Sequence, residues 1–243
     1  MTSGARAALV VGAGPGLGGA VARRFAREGY VACVVRRKGA ELEPLCAEIQ
    51  TQGGQAFAFG ADARDEDEVV GLFERIEREV GPVEVAVHNI GANVSFPIRE
   101  MTARVYSKVW QMACFSGFLV GREAARRMVP RGRGTILFTG ATASLRGRSG
   151  MAAFAGAKSA LRALSQSMAR ELGPEGIHVA HVIVDGAIDM PWIRENFPQI
   201  VEKRGEEALL QPDAIAESYW QLHLQPRSAW THELDLRPHI EPW

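Results

Sequence analysis

The sequence predicts an α/β protein, a doubly wound parallel sheet of about seven strands with helices on both faces. Three observations carry this expectation. Apolar runs of strand length alternate with stretches of helical period along the whole chain. The first run, Ala7 to Val11, leads straight into a glycine-rich turn, Gly12-Ala13-Gly14-Pro15-Gly16-Leu17-Gly18-Gly19. That turn becomes a helical pattern with Leu17, Val21 and Phe25 on one face and Arg23, Arg24 and Arg27 largely elsewhere. A strand, turn and helix joined this way bring backbone N–H groups and a helix N-terminus to one point, which suits a pyrophosphate.

A second apolar strand runs from Tyr30 to Val35 and ends in Arg36-Arg37-Lys38. In a Rossmann-type fold this point faces the adenosine ribose. A carboxylate there binds the 2′-hydroxyl of NAD, whereas arginine accommodates a 2′-phosphate. Three cations and no acid before Glu41 favour NADP(H) over NAD(H). Leu42, Leu45, Cys46 and Ile49 form a helical stripe closed by Gly53-Gly54. Gln55 to Ala61 is a strand, followed by Asp62 and Ala63. Asp65 caps the next helix, whose apolar face is Val69, Leu72, Phe73, Ile76 and Val80. Val83 to Val87 is the fourth strand, leading into His88-Asn89-Ile90-Gly91.

Thr102 starts a long helical region with Val105, Val109, Met112, Phe115, Leu119 and Met128 on its buried side. Thr135 to Phe138 is a strand, and the loop from Thr139 to Met151 is small and polar. Phe154 to Leu172 is a helix, and His178 to Val184 the next strand. Asp213 is expected to cap a last helix ending at Leu224. The chain then forms a single domain, 1–243, with a helical lid over about 187–210 and a C-terminal edge strand and aromatic tail over 230–243. Its ligand crevice lies at the carboxyl ends of the strands.

Composition narrows the partners. Of 243 residues 47% are hydrophobic, enough for a sizeable core, and 28 Lys plus Arg balance 28 Asp plus Glu. Zero net charge disfavours a general nucleic-acid binder. No apolar run reaches membrane-spanning length and no signal-peptide pattern opens the chain, so a cytoplasmic protein acting on a small molecule is expected. The three cysteines, Cys33, Cys46 and Cys114, have no CxxC spacing and fit reduced thiols.

On these residues the chain resembles the short-chain dehydrogenase/reductase family. Gly12-x-x-x-Gly16-x-Gly18 resembles its cofactor turn, Asn89-Ile90-Gly91 its Asn-Ala-Gly signature, and Asp62 its adenine-contacting aspartate. Phe154-Ala-Gly-Ala-Lys158 stands where the family has Tyr-x-x-x-Lys, and Gly186 with the following Ala-Ile resembles its turn after strand six. The resemblance implies a nicotinamide cofactor held by Gly12, Gly14, Gly16, Leu17, Gly18, Arg36, Arg37, Asp62, Ala63, Asn89, Gly91, Lys158, Asp185, Gly186 and Ile188. It also implies a homodimer or homotetramer built from the long-helix faces and the C-terminal strand.

The proton-handling positions depart from that pattern. Phe154 replaces the phenol, Ala141 the serine and Cys114 the asparagine, while Asp185 stands for the usual proline and Met190 for the usual threonine. Lys158 alone is retained. Thr139 and Thr142 are the substitute hydroxyls considered for the proton relay; His88, beside Asn89, could titrate near neutrality, but a buried, satisfied histidine is the favoured reading. The segment from Thr139 to Lys158 is also similar to the dienoyl-CoA reductase branch of the family, which lacks the same tyrosine, although Ala143 stands where that branch has its substitute acid. Two readings follow: an NADP(H)-dependent oxidoreductase with an atypical relay, or a cofactor-binding protein without turnover.

Overall fold

A computed structural model describes residues 4–241. Seven strands form one parallel sheet in the order β3-β2-β1-β4-β5-β6-β9. They are β1 (Ala7–Val11), β2 (Val31–Arg36), β3 (Gln55–Gly60), β4 (Val83–His88), β5 (Gly134–Thr139), β6 (Ile177–Val184) and β9 (Glu233–Leu236). The order reverses between β1 and β4, where the two halves of the sheet wind outward in opposite directions. At such a point the loops leaving neighbouring strands diverge and open a crevice at the carboxyl edge.

Helices α1 (Leu17–Arg27), α2 (Glu43–Thr51) and α9 (Pro212–Leu224) cover one face. Helices α3 (Glu66–Glu79), α5 (Ser116–Met128) and α6 (Ala152–Leu172) cover the other. Each strand supplies both cores by alternation. Val10 and Ala8 of β1 face α1, while Leu9 and Val11 face the α3 side. A strand buried on both sides reads as an unbroken apolar run, as β1 does; β6 is also buried at every position, His178 and His181 included.

Local signals set most boundaries. Asp65 caps α3, accepting from the Glu68 N–H, and Thr102 caps α4 (Ala103–Trp110), accepting from the Val105 N–H. Between α4 and α5 the long helical region widens into a π turn over Gln111–Phe115. The Ser116 hydroxyl there donates to the Met112 carbonyl at 2.6 Å. The expected lid resolves into a short strand β7 (Ala187–Ile188), helices α7 (Pro191–Asn196) and α8 (Gln199–Arg204), and a strand β8 (Leu209–Leu210) paired with β7.

Three expectations shift. Asp213 is not the cap of α9. Gln211 holds that position with Pro212 after it, because proline's fixed φ starts a helix and has no N–H to satisfy. Asp213 instead lies in the first turn, 3.8 Å from Arg23. Tyr30 lies outside β2, where its hydroxyl meets His223 Nε2 at 2.7 Å. The C-terminal strand is shorter than expected, starting at Glu233, and Trp230 stacks on His178 at 4.9 Å before it. The last two tail residues, 242 and 243, lie outside the described residues. No helix of the described residues is long and apolar enough to cross a membrane.

Candidate active site

The loops leaving β1, β2, β3 and β4 enclose a cleft of about 520 Å³ lined by Gly12, Ala13, Arg36, Arg37, Asp62, Ala63, Asn89 and Gly91 among others. Its glycines divide the work. A Cβ on Gly12 would lie 2.7 Å from the Asn89 carbonyl oxygen, and one on Gly18 would lie 2.6 Å from that of Gly12. These two let the turn fold against itself. Asn89 closes the same knot, its side-chain amide donating to the Gly12 carbonyl at 3.1 Å. Gly14, by contrast, has nothing within 4 Å of the place of a Cβ. Gly16 is the N-cap of α1 and offers no side-chain bond to the helix, whose first turn also carries no acid. Unsatisfied N–H groups at Leu17 and Gly18, with the positive end of the helix dipole, leave room for an anion.

Four cations line the ribose end, and they are not equivalent. Arg36 pairs with Glu41 at 2.9 Å and Lys38 with the same carboxylate at 3.6 Å. Arg64, absent from the sequence expectations, grips both carboxylate oxygens of Asp62 with its side chain and holds that carboxyl below its ordinary range. Arg37 lines the cleft and has no ion pair among the described residues. The Asp62-x-Arg64 spacing was the only available signal for Arg64, and it became meaningful once β3 was placed beside β2.

The loops leaving β5 and β6 are closed. Lys158 is buried, and its ammonium donates to the backbone carbonyls of Thr139 at 2.7 Å and Ile90 at 3.1 Å. Burial lowers its pKa to about 8, an effect the neighbouring Cys114 partly offsets. The Phe154 ring lies one turn back with its centroid 5.9 Å from Lys158 Nζ and carries no proton. Burial raises the Cys114 thiol, against a smaller opposing effect of Lys158, which argues for a packing residue rather than a nucleophile. Thr142 donates to Asp185 Oδ1 at 2.5 Å, and Arg146 approaches Oδ2 of that buried carboxylate at 3.4 Å. Gly186 and Ile188 follow in the turn that opens the lid. Met190 covers Gly16, its Cε 3.1 Å from the place of a Cβ there.

Thr139 loses its expected role, and His88 takes the buried one expected of it. Thr139 sends its carbonyl to Lys158 but its hydroxyl to Tyr219 of α9 at 2.7 Å. The pleat turns that side chain to the far face of the sheet, away from Phe154, so it is not a donor for the site. His88 is buried, its Nε2 2.7 Å from Ser116 Oγ, and burial pushes its pKa down to about 3. The Ser116 proton already lies on Met112, so Nε2 carries the histidine hydrogen. It is a neutral core histidine, not a titrating one.

The sheet order, the glycine turn and the cleft at the switch between β1 and β4 define a Rossmann-type α/β protein. The chain belongs to the short chain dehydrogenase family, whose profile matches residues 6–199. It is 31% identical over 177 residues to gluconate 5-dehydrogenase of Gluconobacter oxydans (strain 621H), covering 73% of this chain and 69% of that protein. A crystal structure of a short-chain dehydrogenase from Rhodopseudomonas palustris shares 49% identity and a TM-score of 0.83, covering 96% of this chain and 99% of that one. Actinorhodin polyketide ketoreductase, crystallised with NADPH, superposes at a TM-score of 0.87 over 98% of both chains, but at 24% identity that likeness speaks to the fold alone.

Proposed function

We propose that the chain is an NADP(H)-dependent oxidoreductase of the short-chain dehydrogenase type whose proton relay departs from the family pattern. One observation carries the cofactor reading: Arg37, without an ion pair, faces a cleft that also presents the uncapped N-terminus of α1. A dinucleotide 2′-phosphate would gain a charge-assisted partner there, while Glu41 restrains Arg36 and Lys38. The free N–H groups of α1 would take the pyrophosphate, and Asn89 holds the floor of the turn. The residues present fit the group.

When bound, the nicotinamide would supply or accept a hydride. The chain's own part is to place a substrate carbon near it and to handle a proton. Lys158 gives two N–H groups to carbonyls and keeps one for a ribose or a water. Thr142 has its proton on Asp185, so it presents lone pairs and accepts rather than donates. Phe154, Ala141 and Cys114 offer no acid at the positions where the family has its phenol, serine and asparagine. General acid catalysis contributes roughly 10²–10⁴-fold, so carbonyl reduction is expected to be slow while cofactor binding persists.

The same observation supports a second reading, a cofactor-binding protein without turnover that acts as a sensor or an oligomer partner. A homodimer or homotetramer is supported by the exposed rings of Tyr106, Trp110 and Phe118 along α4 and α5, a face that a second copy can cover. The deciding experiment is a parallel titration with NADPH and NADH, following quenching of the five tryptophans. Tight NADPH and weak NADH binding sustain the cofactor reading, and screening ketones and enoyl thioesters for hydride transfer then separates enzyme from sensor. Binding of neither removes both readings.

A further inference from the structure

The chain beyond β9 runs along the turn after β6 and the end of α8. Arg237 reaches within 3.3 Å of Asp185 Oδ2, on the carboxylate that orients Thr142, and also pairs with Asp235. Pro238 packs on the turn after β6, its Cδ 2.9 Å from the place of a Cβ on Gly186, a residue with φ of 157°. His239 Nε2 stands 3.7 Å from Glu207. Arg204 at the end of α8 donates to the Glu241 carboxylate at 2.7 Å and to the Ile240 carbonyl at 2.9 Å. The lid is held internally by Arg194, which bonds Asp189 at 2.6 Å and Glu206 at 2.7 Å. Its inner end puts the Met190 thioether over Gly16.

We propose that residues 237–241 form a strap that holds the lid over the glycine turn, and that Arg204 and Arg237 are positioning residues for nucleotide access. The inference rests on the nucleotide reading of the cleft. Each tie acts at a different point. Pro238 fills the space that the Gly186 hinge would need in order to swing. Arg237 fixes Asp185, which anchors the start of the lid and orients Thr142. Arg204 pins the far end through a pair whose two side chains are 33% and 19% exposed, so solvent screens it only in part. A diphosphate approaching the N-terminus of α1 meets the Met190 side chain at Gly16, which the inner end of the lid carries there. Nucleotide binding and release therefore wait on the strap.

The test uses the full chain with Arg204→Glu, Glu241→Arg, the double exchange, and the milder Glu241→Gln in case a reversal perturbs folding. Hydrogen exchange of residues 187–205 is measured without ligand, and NADPH association and dissociation are followed by stopped-flow fluorescence. Losing a partly buried charged pair is expected to speed lid exchange and both NADPH rates roughly three- to ten-fold in the single variants. The double exchange restores the pair and is expected to return both readouts towards wild type, which a general loss of stability would not do. Unchanged lid exchange in the single variants overturns the strap, and so do unchanged NADPH rates beside altered exchange. If the wild type binds no NADPH, the nucleotide reading fails by itself and exchange alone decides the strap. Acceleration with recovery in the double variant then sustains it, and equality overturns it.

Discussion

At the carboxyl ends of β1 to β4 the loops open a cleft of about 520 Å³, whereas at the ends of β5 and β6 the polar groups face one another. In the first region an N-cap without a side-chain bond and an arginine with no ion pair among the described residues leave binding capacity unused. In the second region Thr142 is held by Asp185, Lys158 gives two of its N–H groups to the Thr139 and Ile90 carbonyls, and Phe154 is buried beside it. The difference teaches that nucleotide recognition and proton handling are separable in this fold. Binding depends on backbone geometry, which survives when side chains change. Acid–base chemistry depends on single side chains, and in the proposed reading Phe154, Ala141 and Cys114 stand at three of those positions.

The comparison breaks most completely at its backbone. Gly18→Val places a side chain 2.6 Å from the Gly12 carbonyl oxygen, and the expected result is loss of nucleotide binding with a stability cost of at least about 3 kcal/mol, read by calorimetry and NADPH titration. Acid acts on both regions at once. His88 has its pKa pushed to about 3, and His181 and His223 theirs to about 4, by burial. Their unfolded forms protonate near pH 6.5, so the unfolded chain binds more protons as pH falls below that value. Stability is then full above pH 6.5 and declines towards pH 4, by up to about 2 kcal/mol per histidine at pH 5. Urea midpoints at pH 7.5 and 5 measure it, and equal midpoints would contradict the burial of these rings.

Two finer changes sharpen the contrast. Arg37→Ala is expected to weaken NADPH roughly 10- to 100-fold and NADH little, because only the 2′-phosphate loses a charged partner. Arg36→Ala, already paired with Glu41, is expected to cost less. The smallest effect is expected from Phe154→Tyr, which adds a phenol but leaves Ala141 and Cys114 in place. No robust ketone reduction is expected in an NADPH-consumption assay, and a high rate would show that the phenol was the sole deficiency.

Much of the nucleotide half was legible because its signals are local. Glycine spacing, the Arg36-Arg37-Lys38 run and the Asp65 and Thr102 caps each act within a few residues. The chemistry half was legible only as a set of residue types. Thr139 and Thr142 look alike in sequence, yet one hydroxyl faces α9 and the other Asp185. Asp62 was expected to meet adenine, but Arg64 occupies both its oxygens.

The amino-acid sequence by itself determined the alternation of strands and helices and the position of the cleft, since periodicity and turn chemistry are properties of neighbouring positions. Only the tertiary structure decided which way each threonine hydroxyl turns, which arginine of the cleft makes no ion pair among the described residues, and that Arg237 meets Asp185 and Glu241 meets Arg204. Those outcomes follow from the pleat of β5, from competition among nearby carboxylates and from the parallel pairing of β9 with β6, none of which is encoded in any short stretch.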